Sequence, residues 1–150
     1  MAMTMTGEFV LPADKASVWA RLNDAQTLQA SIPGCESLEK LSDTEFQAVV
    51  KVKIGPVGAR FKGKVHLTDI DAPNSSRIAG EGEGGIAGFA KGGATVRLGD
   101  AEGGGTKLSY DVDARVGGKI AQLGARLVDS TAKKLAAEFF ANFAKALQPA

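Results

Sequence analysis

From Glu36 to Val116 the chain alternates apolar and polar residues with a period of two. Phe46, Ala48, Val50, Val52 and Ile54 share one side, and Gln47, Lys51 and Lys53 share the other, interrupted by Val49. Val57, Ala59, Phe61, Val65 and Leu67 form the next apolar side, with Arg60, Lys62, Lys64 and His66 opposite. Gly55-Pro56 between the two runs predicts a tight hairpin that sets Ile54 against Val57, Lys51 against Arg60 and Val49 against Lys62. Further strands are predicted near Arg77 to Gly84, Ala94 to Gly99 and Thr106 to Val116. In the last, Leu108, Tyr110, Val112, Ala114 and Val116 oppose Lys107, Asp111, Asp113 and Arg115. One-sided alternation of this kind is the pattern of an antiparallel sheet with one dry and one wet face.

The flanks differ. Met3 to Leu11 alternates weakly as a strand and stops at Pro12. Asp14 is a suitable N-cap for a short helix with the apolar stripe Val18, Trp19 and Leu22. A second short helix spans Ala25 to Ala30, and Ile32-Pro33-Gly34 ends it, because proline disfavours helical backbone in the residue before it. From Gly118 to Leu147 the period is helical, with Ile120, Leu123, Leu127, Leu135, Phe139, Phe143 and Leu147 on one stripe. Read as one helix, this segment is about 45 Å long. Nothing else in the chain can cover the dry face of the sheet, so sheet and helix require each other. The expectation is one α+β domain over residues 1–150. A curved antiparallel sheet of about seven strands grips a long C-terminal helix, with two short helices after the first strand.

The 19 glycines cluster in Gly80 to Gly93 and in Gly99 to Gly105. Glycine in a strand marks a bend or a close backbone approach. Gly80, Gly82 and Gly84 fall on the inner face with Ile78. Small residues there either leave empty volume or let backbones touch, and both readings stay open.

Charge and composition exclude several classes. Lys plus Arg number 18 and Asp plus Glu 17, a net charge of +1, which gives no overall attraction to nucleic acid. Cys35 is the only cysteine, so no internal disulfide forms and a reducing compartment is expected. The first ten residues lack the features of a signal peptide, and no apolar run is long enough for a membrane helix. Asn74-Ser75-Ser76 matches a glycosylation sequon but reads as a turn.

Candidate chemistry is sparse. Gly80 to Gly85 spells a dinucleotide fingerprint, yet no convincing helix follows and Glu81 and Glu83 would repel phosphate. Gly58 to Val65 approaches a phosphate loop, but Val65 replaces its hydroxyl residue and the segment reads as a strand. His66 lies on the wet face, and neither it nor Cys35 has the neighbours of a triad or a metal site. No metal, cofactor or catalytic residue is assigned. The basic strip Lys51, Lys53, Arg60, Lys62 and Lys64 is either a solvated face or a docking patch for an acidic partner or headgroups.

Taken in order, Ile32-Pro33-Gly34-Cys35-Glu36, Lys53-Ile54-Gly55-Pro56-Val57, Gly63-Lys64-Val65 and Gly118-Lys119-Ile120-Ala121-Gln122-Leu123-Gly124 resemble the CoxG family, the G component of carbon monoxide dehydrogenase, within the START-like, polyketide-cyclase-like superfamily. The resemblance runs from about Thr4 to Leu147. It implies a helix-grip fold with an apolar cavity between sheet and helix. It also implies a non-enzymatic accessory role beside a molybdenum carbon monoxide dehydrogenase, in membrane recruitment or electron hand-off, with a quinone-like or lipid-like ligand. Some members carry a C-terminal membrane anchor; the sequence to Ala150 shows none, so transient contact is expected.

On this basis the ligand is expected to meet Phe46, Val50, Phe61, Tyr110, Val112, Leu123 and Leu127, with Tyr110 as polar handle and Phe89 as a gate. The opening is expected at Gly55-Pro56, at Gly84 to Gly93 and near Gly124. Lys51, Lys53, Arg60, Lys62 and Lys64 would dock the partner. No nucleic acid is expected, and the location would be cytoplasmic, at most peripheral to the inner membrane face. The alternatives are a cyclase- or hydrolase-type enzyme using the same cavity, and an assembly chaperone without a ligand.

Overall fold

The structure is a computed structural model that describes residues 1–147. Strand β1 (Ala2–Leu11) leads into helices α1 (Lys15–Leu22) and α2 (Ala25–Ser31). A meander follows: β2 (Cys35–Lys40), β3 (Glu45–Ile54), β4 (Val57–Asp71), β5 (Ser75–Glu83), β6 (Phe89–Asp100) and β7 (Thr106–Gly117). Helices α3 (Lys119–Gln122) and α4 (Ala125–Leu147) complete the fold. The sheet order is β1-β7-β6-β5-β4-β3-β2, antiparallel throughout. This is the helix-grip arrangement expected from the hydrophobic pattern, and the β3–β4 register pairs Ile54 with Val57 and Lys51 with Arg60.

Asp24 caps α2, its carboxylate accepting from the Thr27 backbone N–H at 3.0 Å and the Thr27 hydroxyl at 2.6 Å. Those two bonds hold the Asp24 carboxyl below its ordinary range. Helix α2 is tied to α4 by Asn142, whose Nδ2 donates to the Ser31 carbonyl at 3.1 Å. The Thr106 hydroxyl donates to the Ala13 carbonyl at 2.7 Å and anchors β7 to the turn before α1.

Two clusters close the ends of the space between sheet and α4. One contains Leu11, Val18, Val96, Leu98, Leu108, Phe140 and Phe143. The other contains Ile54, Val116, Ile120 and Val128, with Phe61, Leu123 and Leu127 packed against it. Burying Phe143 completely contributes about 3 kcal/mol.

Two expectations are corrected. The C-terminal helix is not continuous from Gly118: Gly124 takes a φ of +95° between α3 and α4, a backbone state that ends a helix. Side-chain periodicity does not register this break, because the apolar stripe resumes in phase beyond it. Strand β6 begins at Phe89 rather than Ala94, so the loop is only residues 84–88.

The glycine question is resolved toward close approach. A β carbon on Gly92 would overlap the Asp113 carbonyl, one on Gly80 would lie 3.0 Å from the Lys64 carbonyl, and one on Gly63 would lie 3.1 Å from the Glu81 carbonyl. Along the row Val65, Gly80, Gly92 and Ala114 the backbones crowd together, and the sheet bends there.

Candidate functional site

The bend leaves room beside it, between the two clusters. A cavity of about 460 Å³ lies under α4 and α2, within the range of small-molecule sites. Its floor is the concave face of the sheet, including Met5, Val65, Ile78, Ala94 and Val112. Leu135, Ala136, Phe139 and Phe140 of α4 form the roof. Trp19, Leu22, Leu28, Ile32 and Pro33 close one side together with Leu38 of β2. Floor residues such as Val50, Val65 and Val112 point inward yet are only half-buried, because they face this space.

The wall is almost wholly hydrocarbon. Among the described lining residues Tyr110 is the only ionisable one, and Ser76 and Asn23 are the other polar side chains. The Tyr110 ring stacks on Phe140 with centroids 5.5 Å apart and on Phe9 at 6.4 Å, and its hydroxyl leans over Gly7. Asn23 Nδ2 donates to the Trp19 carbonyl at 2.9 Å, which fixes the end of α1 beside the cavity.

Of the residues expected to meet a ligand, Phe46, Val50, Tyr110 and Val112 line this space. Phe61, Leu123 and Leu127 instead belong to the sealing cluster at one end, where Leu127 Cδ2 abuts Gly55. Phe89 is on the convex face, against Gly117, so the structure does not place it as a gate. The side wall from α1, α2 and β2 is absent from the expected set. Its sequence signals are the Val18-Trp19-Leu22 stripe and the Ile32-Pro33 pair; both lack a partner until tertiary contacts supply one.

The basic strip is largely answered by acids. Arg60 Nε donates to Glu36 at 2.6 Å, which pushes the Glu36 carboxyl down and the Arg60 guanidinium up from their ordinary values. Lys62 stands opposite Glu83 and Lys64 opposite Glu81 on the convex face. Opposite charges in such cross-strand pairs attract. Lys51 and Lys53 are exposed at the β3–β4 hairpin. Cys35 is half-buried; desolvation pushes its thiol up, away from a reactive thiolate.

A family model for CoxG, the G component of carbon monoxide dehydrogenase, matches residues 7–148. No curated protein sequence matches the chain. Among solved structures, a conserved protein from Geobacillus kaustophilus superposes with a TM-score of 0.90 at 30% identity, covering 97% of this chain and 95% of that one. The Zhui aromatase/cyclase from Streptomyces sp. R1128 gives a TM-score of 0.71 at 10% identity, over 98% and 94% of the two chains. Truncated norcoclaurine synthase from Thalictrum flavum gives 0.68 at 14% identity, over 100% and 96%. The last two likenesses concern the fold alone.

Proposed function

The chain belongs to the CoxG family, the G component of carbon monoxide dehydrogenase, and from that premise we propose that it is a non-catalytic accessory protein of a molybdenum carbon monoxide dehydrogenase-type system. In this reading it carries an apolar, quinone-like or lipid-like guest in the cavity and aids membrane recruitment of the enzyme or electron hand-off from it.

The observation that carries the proposal is the cavity itself: about 460 Å³ lined by hydrocarbon side chains between the sheet and α4. Transfer of an apolar guest from water into such a space gains roughly 25 cal/mol for each Å² removed from water. Catalysis would need charged or proton-transferring groups in the wall. Tyr110, stacked on Phe140, is the one ionisable contributor among the described residues. That composition favours carriage over cyclase or hydrolase chemistry.

The protein would work at the cytoplasmic face of the membrane through transient contact. Among the described residues no helix is long and apolar enough to cross a membrane. Lys51 and Lys53 would supply the cationic contact to enzyme or headgroups, since Arg60, Lys62 and Lys64 face acids of the same chain.

The test is native mass spectrometry of protein purified from its own host, with organic extraction of the bound material. Co-purification of an apolar molecule supports the carrier. Protein that is empty yet still retains a carbon monoxide dehydrogenase on an affinity column would instead establish a chaperone without a ligand.

A further inference from the structure

We propose that the Ser76 hydroxyl is the point at which the cavity reads its guest, and that the guest is an uncharged molecule whose carbonyl, ether or hydroxyl group lies against it. The inference rests on the carrier reading and narrows the class of molecule carried.

Four polar residues are buried in the described chain: Thr27, Ser31, Ser76 and Thr106. Three have a hydrogen-bonding commitment. The Thr27 hydroxyl donates to Asp24, Ser31 to the Thr27 carbonyl and Thr106 to the Ala13 carbonyl. Ser76, only 8% exposed, lies in the cavity wall, and its hydroxyl bonds to no other described residue. Because no described side-chain nitrogen or oxygen is both sealed off and unpaired, this hydroxyl opens onto the cavity. Water can reach this hydroxyl while the cavity holds no guest, so an apolar guest that displaces the water leaves it unpaired, whereas a guest with an acceptor there replaces the lost hydrogen bond.

Its position sets the orientation. Ser76 begins the concave-face row Ser76, Val96, Tyr110 and Gly7, across β5, β6, β7 and β1. That row borders the cluster around Leu98, Leu108 and Phe143, so Ser76 marks the end of the cavity beside that cluster. Val50 and Val52 line the far part, toward the β3–β4 hairpin. The polar group therefore sits beside that cluster and the apolar remainder extends toward β3. Charge is excluded by the wall, which holds no Asp, Glu, Lys, Arg or His among the described residues. An ion there would lose its hydration with nothing to replace it.

Three probes of one ring system decide this: naphthyl methyl ketone, isopropylnaphthalene and naphthoate, all substituted at the same ring position. Affinities for the wild-type chain and Ser76→Ala are measured by titration calorimetry. The wild type should bind the ketone about fivefold tighter than the hydrocarbon, and naphthoate at least about tenfold weaker than the ketone. In Ser76→Ala the ketone should fall to the level of the hydrocarbon, whose own affinity stays unchanged and reports an intact cavity. A ketone preference that survives the substitution overturns the inference. So does naphthoate binding as tightly as the ketone, or an equal loss for all three probes. Wild-type binding of both neutral probes without preference removes this inference alone; no binding of any probe removes the carrier reading as well.

Discussion

The Tyr110 hydroxyl occupies the space that a side chain at Gly7 would need: a β carbon there would fall 2.5 Å from the phenolic oxygen. The two residues are directly paired across β1 and β7. The absence of a side chain on the edge strand thus lets an aromatic ring lie flat along the cavity wall, stacked on Phe140. Ala in place of a strand glycine usually gains about 0.5–1 kcal/mol. Gly7→Ala is expected to reverse that sign and destabilise by about 1–3 kcal/mol, because the Tyr110 ring must leave its stack. Urea unfolding of Gly7→Ala, with and without Tyr110→Leu, should show strong coupling between the sites. Additive effects would mean that the ring yields freely.

Filling the cavity should separate stability from carriage. Ala94 lies on the floor among Val65, Ile78 and Val112. Ala94→Phe places a ring in space that is already open, so thermal stability should hold or rise by about 0.5–2 kcal/mol. Uptake of the neutral naphthalene probes should be abolished. Trp19, the only tryptophan, lines the same space, so its fluorescence reports occupancy directly. Full probe binding by a stable Ala94→Phe would show that guests bind elsewhere.

Two glycine substitutions on the same strand should diverge. At Gly92 a β carbon meets the Asp113 carbonyl and the Ala114 backbone, which cannot rotate away. Gly92→Ala should cost about 3 kcal/mol, the upper end for overpacking. Gly99 has no atom within 4 Å of that position, so Gly99→Ala should be neutral or stabilise by up to about 1 kcal/mol. Denaturant midpoints of the pair test whether the inner glycines bend the sheet or merely tolerate replacement.

The cap of α2 should make stability depend on acid. The two Thr27 hydrogen bonds favour the ionised Asp24, so its folded pKa lies below the unfolded one. Its contribution is complete above the unfolded value and is lost as pH falls through the folded value. Asp24→Ala should cost about 1 kcal/mol at neutral pH, with the ionic part kept small because the side chain is 43% exposed. The gap between wild type and Asp24→Ala should shrink steadily as the buffer is taken below the carboxylate range. A gap independent of pH would show that the cap acts without its charge.

Local patterning suffices for the strand faces, the hairpin at Gly55-Pro56, the register through Ile54 and Val57, and the dependence of sheet and helix on each other. These follow from periods of two and 3.6, which are local properties of the backbone. Phe46, Val50, Tyr110 and Val112 fall on the inner face for the same reason. Inward parity alone does not say whether a residue meets space or a neighbour, and that is why Phe61, Leu123 and Leu127 group with them in the sequence. Whether inward-facing side chains fill the interior depends on how sharply the sheet bends and how far the roof stands above it. The Gly92–Asp113 approach sets the bend, and Phe139 and Phe140 set the roof. Those points, and the unpartnered state of Ser76, emerge from three-dimensional packing alone, because the vacant volume is bounded by residues from distant parts of the chain.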